Sequence, residues 1–584
     1  MMQGAISCKT HFKHLLYSLV MVMLLCSGYS HAAVETLDSE ELRNRAKREA
    51  LDRERQLNQP SVKLQVEIER PESLRLPVET PCFTIQKFVL EVPSQVSPEA
   101  RQYGASTLRF DTFRFAHNFL EQFAGQCIGR VGINIIVKGL TAEILERGYS
   151  TTRLGIIEQD MSGGTLKLAL IPGLIHEIRF ADPTISGTWK NAFPTSAGKL
   201  LNLRDIEQGL EQMKRVPSQE VDMQIIPAEK LGESDVVITV KRSKSWKVTA
   251  TLDDAGAKGT GKLQAGLNLA LDNLFNVNDL FNIGLNNDAD NTNAEHGTTG
   301  SSIFYSIPYG NWTYTVTAGD YQYHQRVPGN SQTFVSSGES SNLEVKAGYM
   351  FYRNQNSKNT LQLRTGKRWG KSYIDDTEIL VQRRDTSFVE LALQHKHNIA
   401  QAQLDISIAE RQGVPWFGAQ DDLPGQPAGA ATFFYHMEVV DATLSVPFDL
   451  LKHPYKYSAT LHGQTTDSAL YSSEWSAIGN RWSVRGFDGE YTLSAEKGWY
   501  LRNELETAVP GTNQSAYIGL DYGKVMGANE VNLIGTDLAG TAIGMRGILF
   551  KGGYYDVFAS WPLNKPQGFN TNDPAVGFSL NYQL

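Results

Sequence analysis

Arg485 and Asp521 are the side chains whose types and surroundings best fit a specific ion pair. Arg485 lies in the tetrapeptide at residues 484–487, and a carboxylate follows about 35 residues later. A guanidinium can bind a carboxylate through two parallel hydrogen bonds, and this pair is strong and directional in a confined space. We therefore treat the two residues as candidate functional partners. The alternative is an ordinary inter-strand loop whose arginine is solvated.

The surroundings of both residues favour this pairing. Alternation predicts a strand over residues 515–523, on which one face carries apolar side chains and the other carries Tyr517, Gly519, Asp521 and Gly523. If the apolar face contacts lipid, Asp521 points inward, since a charge facing lipid is costly near mid-bilayer. Gly519 has no side chain and so leaves room beside Asp521 for the Arg485 side chain.

The residues beside Arg485 suit the tip of a loop. Gly486 permits a tight backbone turn there. Val484 and Phe487 are apolar and are expected to pack against apolar groups of a barrel wall. The tetrapeptide therefore combines one charge, one turn residue and two packing residues.

Residues 244–584 repeat the period-2 alternation typical of half-exposed strands, as in Leu267, Leu269 and Leu271. Sixteen strands would leave about 21 residues for each strand and its connection, as expected for a transmembrane barrel. Polar loops are predicted at residues 286–300 and 413–430. A soluble β-sandwich is the alternative.

The N-terminus predicts export. Residues 1–32 read as a signal peptide, with Lys9 and Lys13 before an apolar run from Leu15 to Cys26. A lipoprotein signal ending at Cys26 is the rival interpretation. After cleavage no stretch of ~18 apolar residues remains, so a membrane-embedded mature chain must be a barrel.

A charged helix and a linker are predicted next. Within residues 33–58, Asp38 and Glu41 form a capping box, and Pro60 ends the helix. Its apolar stripe is thin, which suits either solvent or a water-filled lumen. Residues 59–80 are proline-rich and predict an extended linker.

Cys82 and Cys127 are the cysteines left after signal cleavage. An even pair in an exported protein predicts a disulfide. The alternative is two separately buried thiols. No His lies near either cysteine at ligand spacing, so a metal site is not expected.

Composition and motifs exclude several classes of function. A net charge of −8 argues against a nucleic-acid partner. No HExxH, GxSxG or P-loop motif is present, so we expect neither catalysis nor a cofactor. The glycine- and lysine-containing segment 256–262 does not have P-loop spacing and is predicted to be a turn.

Residues 82–243 predict two α+β units. The first has strands at 83–90 and 165–171 and helices near 111–123 and 133–147. The second has strands at 175–180, 221–226 and 234–240 and a helix at 203–215, with apolar residues on one helix face. Both units precede the barrel pattern.

Together these motifs resemble the two-partner secretion transporters, the TpsB family. The resemblance rests on V-R-G-F at 484–487, C-I-G at 127–129, G-Y-x-T-T-R at 148–153 and the closing P-G at 172–173. It implies a β-rich membrane protein with a plug helix at 33–58, POTRA domains at 81–172 and 173–243, and a 16-stranded antiparallel transmembrane β-barrel at 244–584. It also implies that Arg485, at the tip of a loop in the lumen, pairs with Asp521.

The last strand resembles the insertion signal of outer-membrane barrels. Its alternate apolar residues are Phe578, Leu580, Tyr582 and Leu584. The final residue of such signals is usually aromatic, and Leu584 departs from that pattern.

The resemblance implies an outer-membrane transporter with periplasmic POTRA domains. Its partner would be a secreted TpsA-type exoprotein (a haemolysin, adhesin or contact-dependent toxin), with activation of that partner as a further role in some members. Outer-membrane lipid and the barrel-assembly machinery would be its other partners. An assembly insertase of the same superfamily and a passive porin are the alternatives.

Overall fold

The computed structural model describes residues 61–64, 68–104, 111–290, 295–329, 332–427 and 429–584. The predicted signal peptide and the predicted helix within residues 33–58 lie outside these ranges. In the described part of the chain, no helix is both long enough and apolar enough to cross a membrane.

The first α+β unit encloses a core of its own. Its longest helix, Arg130–Glu146, buries Ile133, Ile136, Leu140 and Ile144, whose spacing places them on one face. Its strands are β1 Phe83–Ile85, β2 Lys87–Glu91, β3 Gln126–Ile128, β4 Arg153–Ile156 and β5 Thr165–Ile171, and its helices are α1 Pro98–Arg101, α2 Arg114–Glu121 and α3 Arg130–Glu146. The sheet order is β2-β5-β4, and β1 pairs with β3.

The sequence pattern gave too simple a picture of this unit. It treated residues 83–90 as one strand, whereas the structure has β1 and β2 separated at Gln86. It also missed α1, β3 and β4, because elements of three or four residues are too short to show a period.

The second unit is a three-stranded sheet packed against one helix. Its elements are β6 Leu174–Phe180, α4 Leu203–Lys214, β7 Gln219–Pro227 and β8 Glu233–Arg242, with sheet order β6-β8-β7. Asn202 caps α4 by accepting from the backbone N–H of Arg204. Leu203, Ile206, Leu210 and Met213 are buried on the face of α4 that the sequence predicts.

The prediction of sixteen barrel strands is confirmed. The strands are β9 Trp246–Asp253, β10 Gln264–Asp272, β11 Leu280–Asp288, β12 His296–Tyr309, β13 Trp312–Pro328, β14 Thr333–Arg353, β15 Ser357–Ile374, β17 Arg384–Ile399, β18 Ala402–Val414, β19 His436–Leu450, β20 His453–Thr465, β23 Lys497–Ala508, β24 Gln514–Met526, β25 Asp537–Phe550, β26 Gly553–Asn564 and β27 Ala575–Gln583. The two-residue strand β16 (Thr377–Glu378) extends the edge of β15.

The barrel closes by pairing of β27 with β9. Apolar side chains cover its outer surface, as shown by Leu391, Leu393 and Ile543, which are about half exposed. Of two predicted loops, the first is shorter than expected and the second is displaced, because β19 begins only at His436. Strand β11 continues through Asp288 and β12 begins at His296, while β18 continues to Val414. Polar residues near the rim need no apolar partner, so their polarity does not mark the end of a strand.

Residues 61–64 and 68–80, here called the strap, have no helix or strand but are fastened to both α+β units. The Glu79 carboxylate accepts from the backbone N–H groups of Val131 and Gly132, both at 2.7 Å, and so caps α3. Lower on the strap, the Val62 N–H donates to Glu211 at 2.9 Å. The predicted linker is therefore docked.

A buried charge cluster joins α4 to the turn between β14 and β15. Arg353 donates to Glu211 at 2.7 and 2.8 Å and to the Val62 carbonyl at 2.9 Å. Lys358 also reaches Glu211, at 2.9 Å. The second unit, the strap and the barrel rim therefore meet at one carboxylate.

The Glu211 cluster gives a pH prediction. Burial raises the pKa of Glu211, but Lys358 and Arg353 outweigh it and bring the pKa down from 4.5 to about 2. Because the folded pKa is depressed, the stabilisation is present above pH 4.5 and is lost as the pH falls towards 2. The shift corresponds to roughly 3 kcal/mol.

We expect Glu211→Gln to increase amide hydrogen exchange in α4 strongly at pH 7 and progressively less below pH 4.5, after correction for intrinsic exchange rates. Asp235→Asn, on an exposed pair with His176, is the control. A difference between wild type and Glu211→Gln that stays constant from pH 7 to 3 would contradict this role.

Candidate functional site

The loop between β20 and β23, residues 466–496, folds into the barrel and is here called the lumen loop. It contains the short hairpin of β21 (Ser476–Ile478) and β22 (Leu493–Ala495). Val484 is fully buried, and Phe487 is 3% exposed. Both pack in an apolar cluster that spans the loop and the inner wall: Ile478, Val484, Phe487, Leu493, Ala495, Val525, Leu538 and Phe569. The loop is thus packed against the inner wall.

Arg485 is joined to Asp521 by three hydrogen bonds. Its Nε donates to Oδ2 at 2.7 Å, its Nη2 to Oδ1 at 2.9 Å and its backbone N–H to Oδ2 at 3.0 Å. Arg485 is 4% exposed and Asp521 is 1% exposed. On the same strand, Ile518 and Leu520 are more than half exposed on the outer surface. Asp521 therefore lies on the inner face of β24.

Two further acceptors complete the arginine site. Arg485 Nη1 donates to Glu504 Oε2 at 2.6 Å, and Nη2 donates to the carbonyl of Asn503 at 2.9 Å. Glu504 also accepts from Arg546, at 2.7 Å. Glu504 was not identified from the sequence. Its inward position follows from the register, in which Glu504 lies opposite Gly519, and the alternation Leu501, Asn503, Leu505 is the signal that could have placed it.

The energetics of this site favour an all-or-none arrangement. Removing charges from water is costly, so a buried pair is stable only while each partner keeps its hydrogen bonds. Loss of one partner typically costs about 3–5 kcal/mol, because the other charge is left buried and unpaired. While both partners are present, the tip of the lumen loop is held against β23 and β24. When either partner is lost, the tip is released.

Glycines provide the space in which the loop sits. Gly486 has φ +108°, a conformation that favours glycine. A Cβ on Gly519 would collide with the Arg485 guanidinium, and one on Gly540 would collide with the Arg485 carbonyl oxygen. Gly540, on β25, was not identified from the sequence because its approach to the loop is a long-range contact.

We expect Gly540→Ala to displace the loop tip. Overpacking of this kind costs about 1–3 kcal/mol, and the backbone carbonyl of Arg485 cannot rotate away as a side chain would. Amide hydrogen exchange of residues 484–488 is expected to rise. Gly463→Ala is the matched control, since its Cβ would meet nothing nearer than Trp499 Cβ at 3.7 Å. Equal exchange in the two variants would show that Gly540 does not seat the loop.

The remaining predicted residues lie elsewhere. The structure joins Cys82 and Cys127 in a disulfide that connects β1 to β3 in the first unit, far from the lumen loop in sequence. Leu580, Tyr582 and Leu584 expose 37–59% of their surface along the closing strand. In the described residues no group of three His, Cys, Asp or Glu side chains is placed to hold a metal ion.

Comparison with known proteins gives a consistent result. Residues 232–547 match the haemolysin secretion/activation proteins ShlB/FhaC/HecB. Residues 108–173 match the ShlB-type POTRA domain, and residues 174–227 match a second POTRA domain. These matches cover much of the first α+β unit, most of the second and most of the barrel.

Individual relatives extend over nearly the whole chain. The chain is 46% identical to the outer membrane transporter CdiB-2 of Burkholderia pseudomallei (strain 1026b), covering 92% of each chain. It is 28% identical to the hemolysin transporter protein ShlB of Serratia marcescens, covering 69% of this chain and 71% of the relative. The solved structure of CdiB from Acinetobacter baumannii superimposes with a TM-score of 0.82 at 27% identity, covering 94% of this chain and 99% of that one.

Proposed function

Because this chain belongs to the ShlB/FhaC/HecB family of haemolysin secretion/activation proteins, the transporters of two-partner secretion, we propose that its own client is a contact-dependent toxin. The protein is an outer-membrane transporter, and its POTRA domains lie in the periplasm. Transporters of this family act with TpsA-type exoproteins. The observation that carries the choice of client is the 46% identity to CdiB-2, well above the 28% identity to the haemolysin transporter ShlB.

The architecture supports a path from periplasm to surface. Helix α4 of the second POTRA domain contacts the periplasmic turns, with Gln212 donating to the Gly310 carbonyl at 3.2 Å and Arg215 to Ser306 Oγ at 2.6 Å. A client held by this domain would therefore lie at the barrel entrance. Transport of an unfolded chain needs no catalytic step, and we propose none.

Strand β7 suits recognition of an unfolded client. It forms one edge of the β6-β8-β7 sheet, and an edge strand can add an extended segment through backbone hydrogen bonds without strict sequence demand. The other edge, β6, is partly covered, because the Ile175 N–H donates to the Lys199 carbonyl at 2.9 Å. The client is therefore expected to pair with β7.

Two further partners belong to this proposal. The outer band of apolar side chains fits outer-membrane lipid. The exposed apolar residues of β27 fit recognition by the barrel-assembly machinery during insertion.

A crosslinking experiment tests the client and its docking site together. A photo-crosslinking residue replaces Asp222 on β7, or Thr239 directly opposite it on the central strand β8, in cells that export a contact-dependent toxin. We expect strong crosslinking at position 222 and weak crosslinking at 239, since only the edge strand accepts a new neighbour. Equal crosslinking at both positions would contradict edge pairing, and preferential capture of a haemolysin client would contradict the choice of toxin.

A further inference from the structure

The seam that closes the barrel is the pairing of β27 with β9, and it is incomplete at the end where β27 begins. Strand β27 pairs with β9 from Gln583, opposite Thr249, up to Ser579, opposite Asp253. On its other side β27 continues to pair with β26 as far as Ala575. Because β9 ends at Asp253, residues 575–578 have no β9 strand beside them. A strand edge of this kind presents N–H and C=O groups that need other partners.

Side-chain hydrogen bonds take the place of the missing backbone pairing. The Phe578 N–H donates to Asp254 Oδ1 at 2.8 Å. Arg481, from the lumen loop, donates from Nη2 to the carbonyl and Oδ1 of Asp254 at 2.9 and 2.7 Å, and from Nη1 to the Phe578 carbonyl at 3.4 Å. Arg481 therefore bonds to both sides of the seam where the ladder stops.

The barrel wall is shaped to receive this guanidinium. It lies 5.3 Å from the ring centroid of Phe558 on β26, a cation–π distance. A Cβ on Gly577 would lie 2.5 and 2.7 Å from two carbons of the Phe558 ring and 2.9 Å from Arg481 Nη2, so the glycine leaves room for both the ring and the guanidinium. The Arg481 side chain is only 17% exposed.

We propose that Arg481 is a positioning residue that holds the two closing strands of the barrel together. Its hydrogen bonds to Asp254 and Phe578 are here called the clasp. Arg481 lies four residues before Arg485, so one loop is bonded to the β9–β27 seam and to the β23–β24 wall. Opening the seam breaks the Arg481 contacts and loosens the loop, and releasing Arg485 loosens the seam. This goes beyond the proposed function, since it concerns how the barrel closes and holds for any client.

A short connection links the second POTRA domain to the strand beside the clasp. Strand β8 ends at Arg242 and β9 begins at Trp246. A displacement of that domain is therefore transmitted through a three-residue connection to the strand whose far end carries Asp254. The seam, the loop and the domain that meets the client form one contiguous chain of contacts.

Amide hydrogen exchange of the folded full-length protein tests the clasp. In Arg481→Ala, exchange in residues 249–254 and 575–583 is expected to rise about tenfold, since charged hydrogen bonds across the seam are lost. Arg364→Ala is the matched control: its side chain is 16% exposed and bonds to Glu390 on a wall away from the seam. An unchanged seam in Arg481→Ala, or an equal rise in Arg364→Ala, would overturn the proposal.

Two more variants separate positioning from a general loss of structure. Gly577→Ala keeps Arg481 but crowds both its guanidinium and the Phe558 ring on which it lies, and is expected to reproduce the seam effect. Arg481→Lys keeps the charge but cannot bridge both strands, and is expected to fall between wild type and alanine. Arg485→Ala should raise exchange at the seam as well, because coupling is reciprocal. A seam that stays protected in Arg485→Ala would overturn the coupling of loop and seam.

Discussion

Arg485→Ala is expected to reduce export of the exoprotein at least tenfold at matched outer-membrane abundance. The substitution removes four side-chain hydrogen bonds. It leaves the buried Asp521 with the more distant Arg502, whose Nε lies 4.0 Å from Oδ2, as its remaining cation. The cost of about 3–5 kcal/mol falls on the seated loop and, through Arg481, on the closing seam. The rest of the sixteen-stranded ladder does not depend on this pair. Only the backbone N–H bond to Asp521 can re-form in the variant.

Controls separate charge, geometry and abundance. Arg485→Lys keeps the charge but loses the forked contact with Asp521, so we expect export between that of alanine and wild type. Arg383→Ala removes an exposed pair with Glu378 and should export normally. Heat-modifiable migration on gels reports the folded barrel. Wild-type export by Arg485→Ala, with equal amounts of folded barrel, would exclude the pair from transport.

Replacing Cys82 and Cys127 together by serine is expected to destabilise the first POTRA domain by about 4 kcal/mol. The disulfide closes a loop with a sequence separation of 45 residues, and the chain-entropy relation for a loop of that length gives this magnitude. The barrel carries no part of that loop, so its folding should be unchanged. Export is expected to fall because the domain unfolds in the periplasm.

Limited proteolysis under native conditions measures this loss. We expect rapid cleavage within residues 81–172 of the double variant, while the barrel remains protected and heat-modifiable. Glu79→Gln, which weakens the cap of α3 without touching the disulfide, should give a smaller effect. Proteolysis of the double variant at the wild-type rate would show that the disulfide contributes little to this domain.

Alternation along the chain is sufficient to predict the barrel and the direction of Asp521. Lipid requires apolar residues on one face of each strand, so the phase of Ile518, Leu520 and Tyr522 fixes the opposite face. The length of the alternating region fits sixteen strands, the number that the resemblance implies. These features are local, and a single sequence carries them.

Contacts between distant segments were not predictable in the same way. Glu504, Gly540 and Arg481 became visible only once strand register brought β23, β25 and the seam against the lumen loop. Alternation could have placed Glu504 on the inner face, but it does not identify the partner of Glu504. The residue types of Gly540 and Arg481 carry no signal without the register, because a glycine in a strand and an arginine before a turn are common. The V-R-G-F resemblance identified Arg485 but gave no role to Arg481.

The docking of the strap was also beyond the sequence. Three prolines within residues 59–80 predict an extended linker, and the described residues of the strap form no helix or strand. Its attachment depends on two carboxylates. Glu79 accepts from backbone N–H groups at the start of α3, and Glu211 accepts from the Val62 N–H and from Arg353. These are single hydrogen-bonded contacts between segments more than 50 residues apart, and no periodic pattern records them.

Secretion itself is the most direct test of the central claim that this protein exports an exoprotein. A candidate TpsA-type exoprotein would be produced in a Gram-negative host with the wild-type transporter, with Arg485→Ala, or with neither. It would be quantified at the cell surface and in the medium. We expect abundant exoprotein with the wild type, at least tenfold less with Arg485→Ala and none without the transporter. Equal amounts outside the cell with and without a folded transporter would contradict the account.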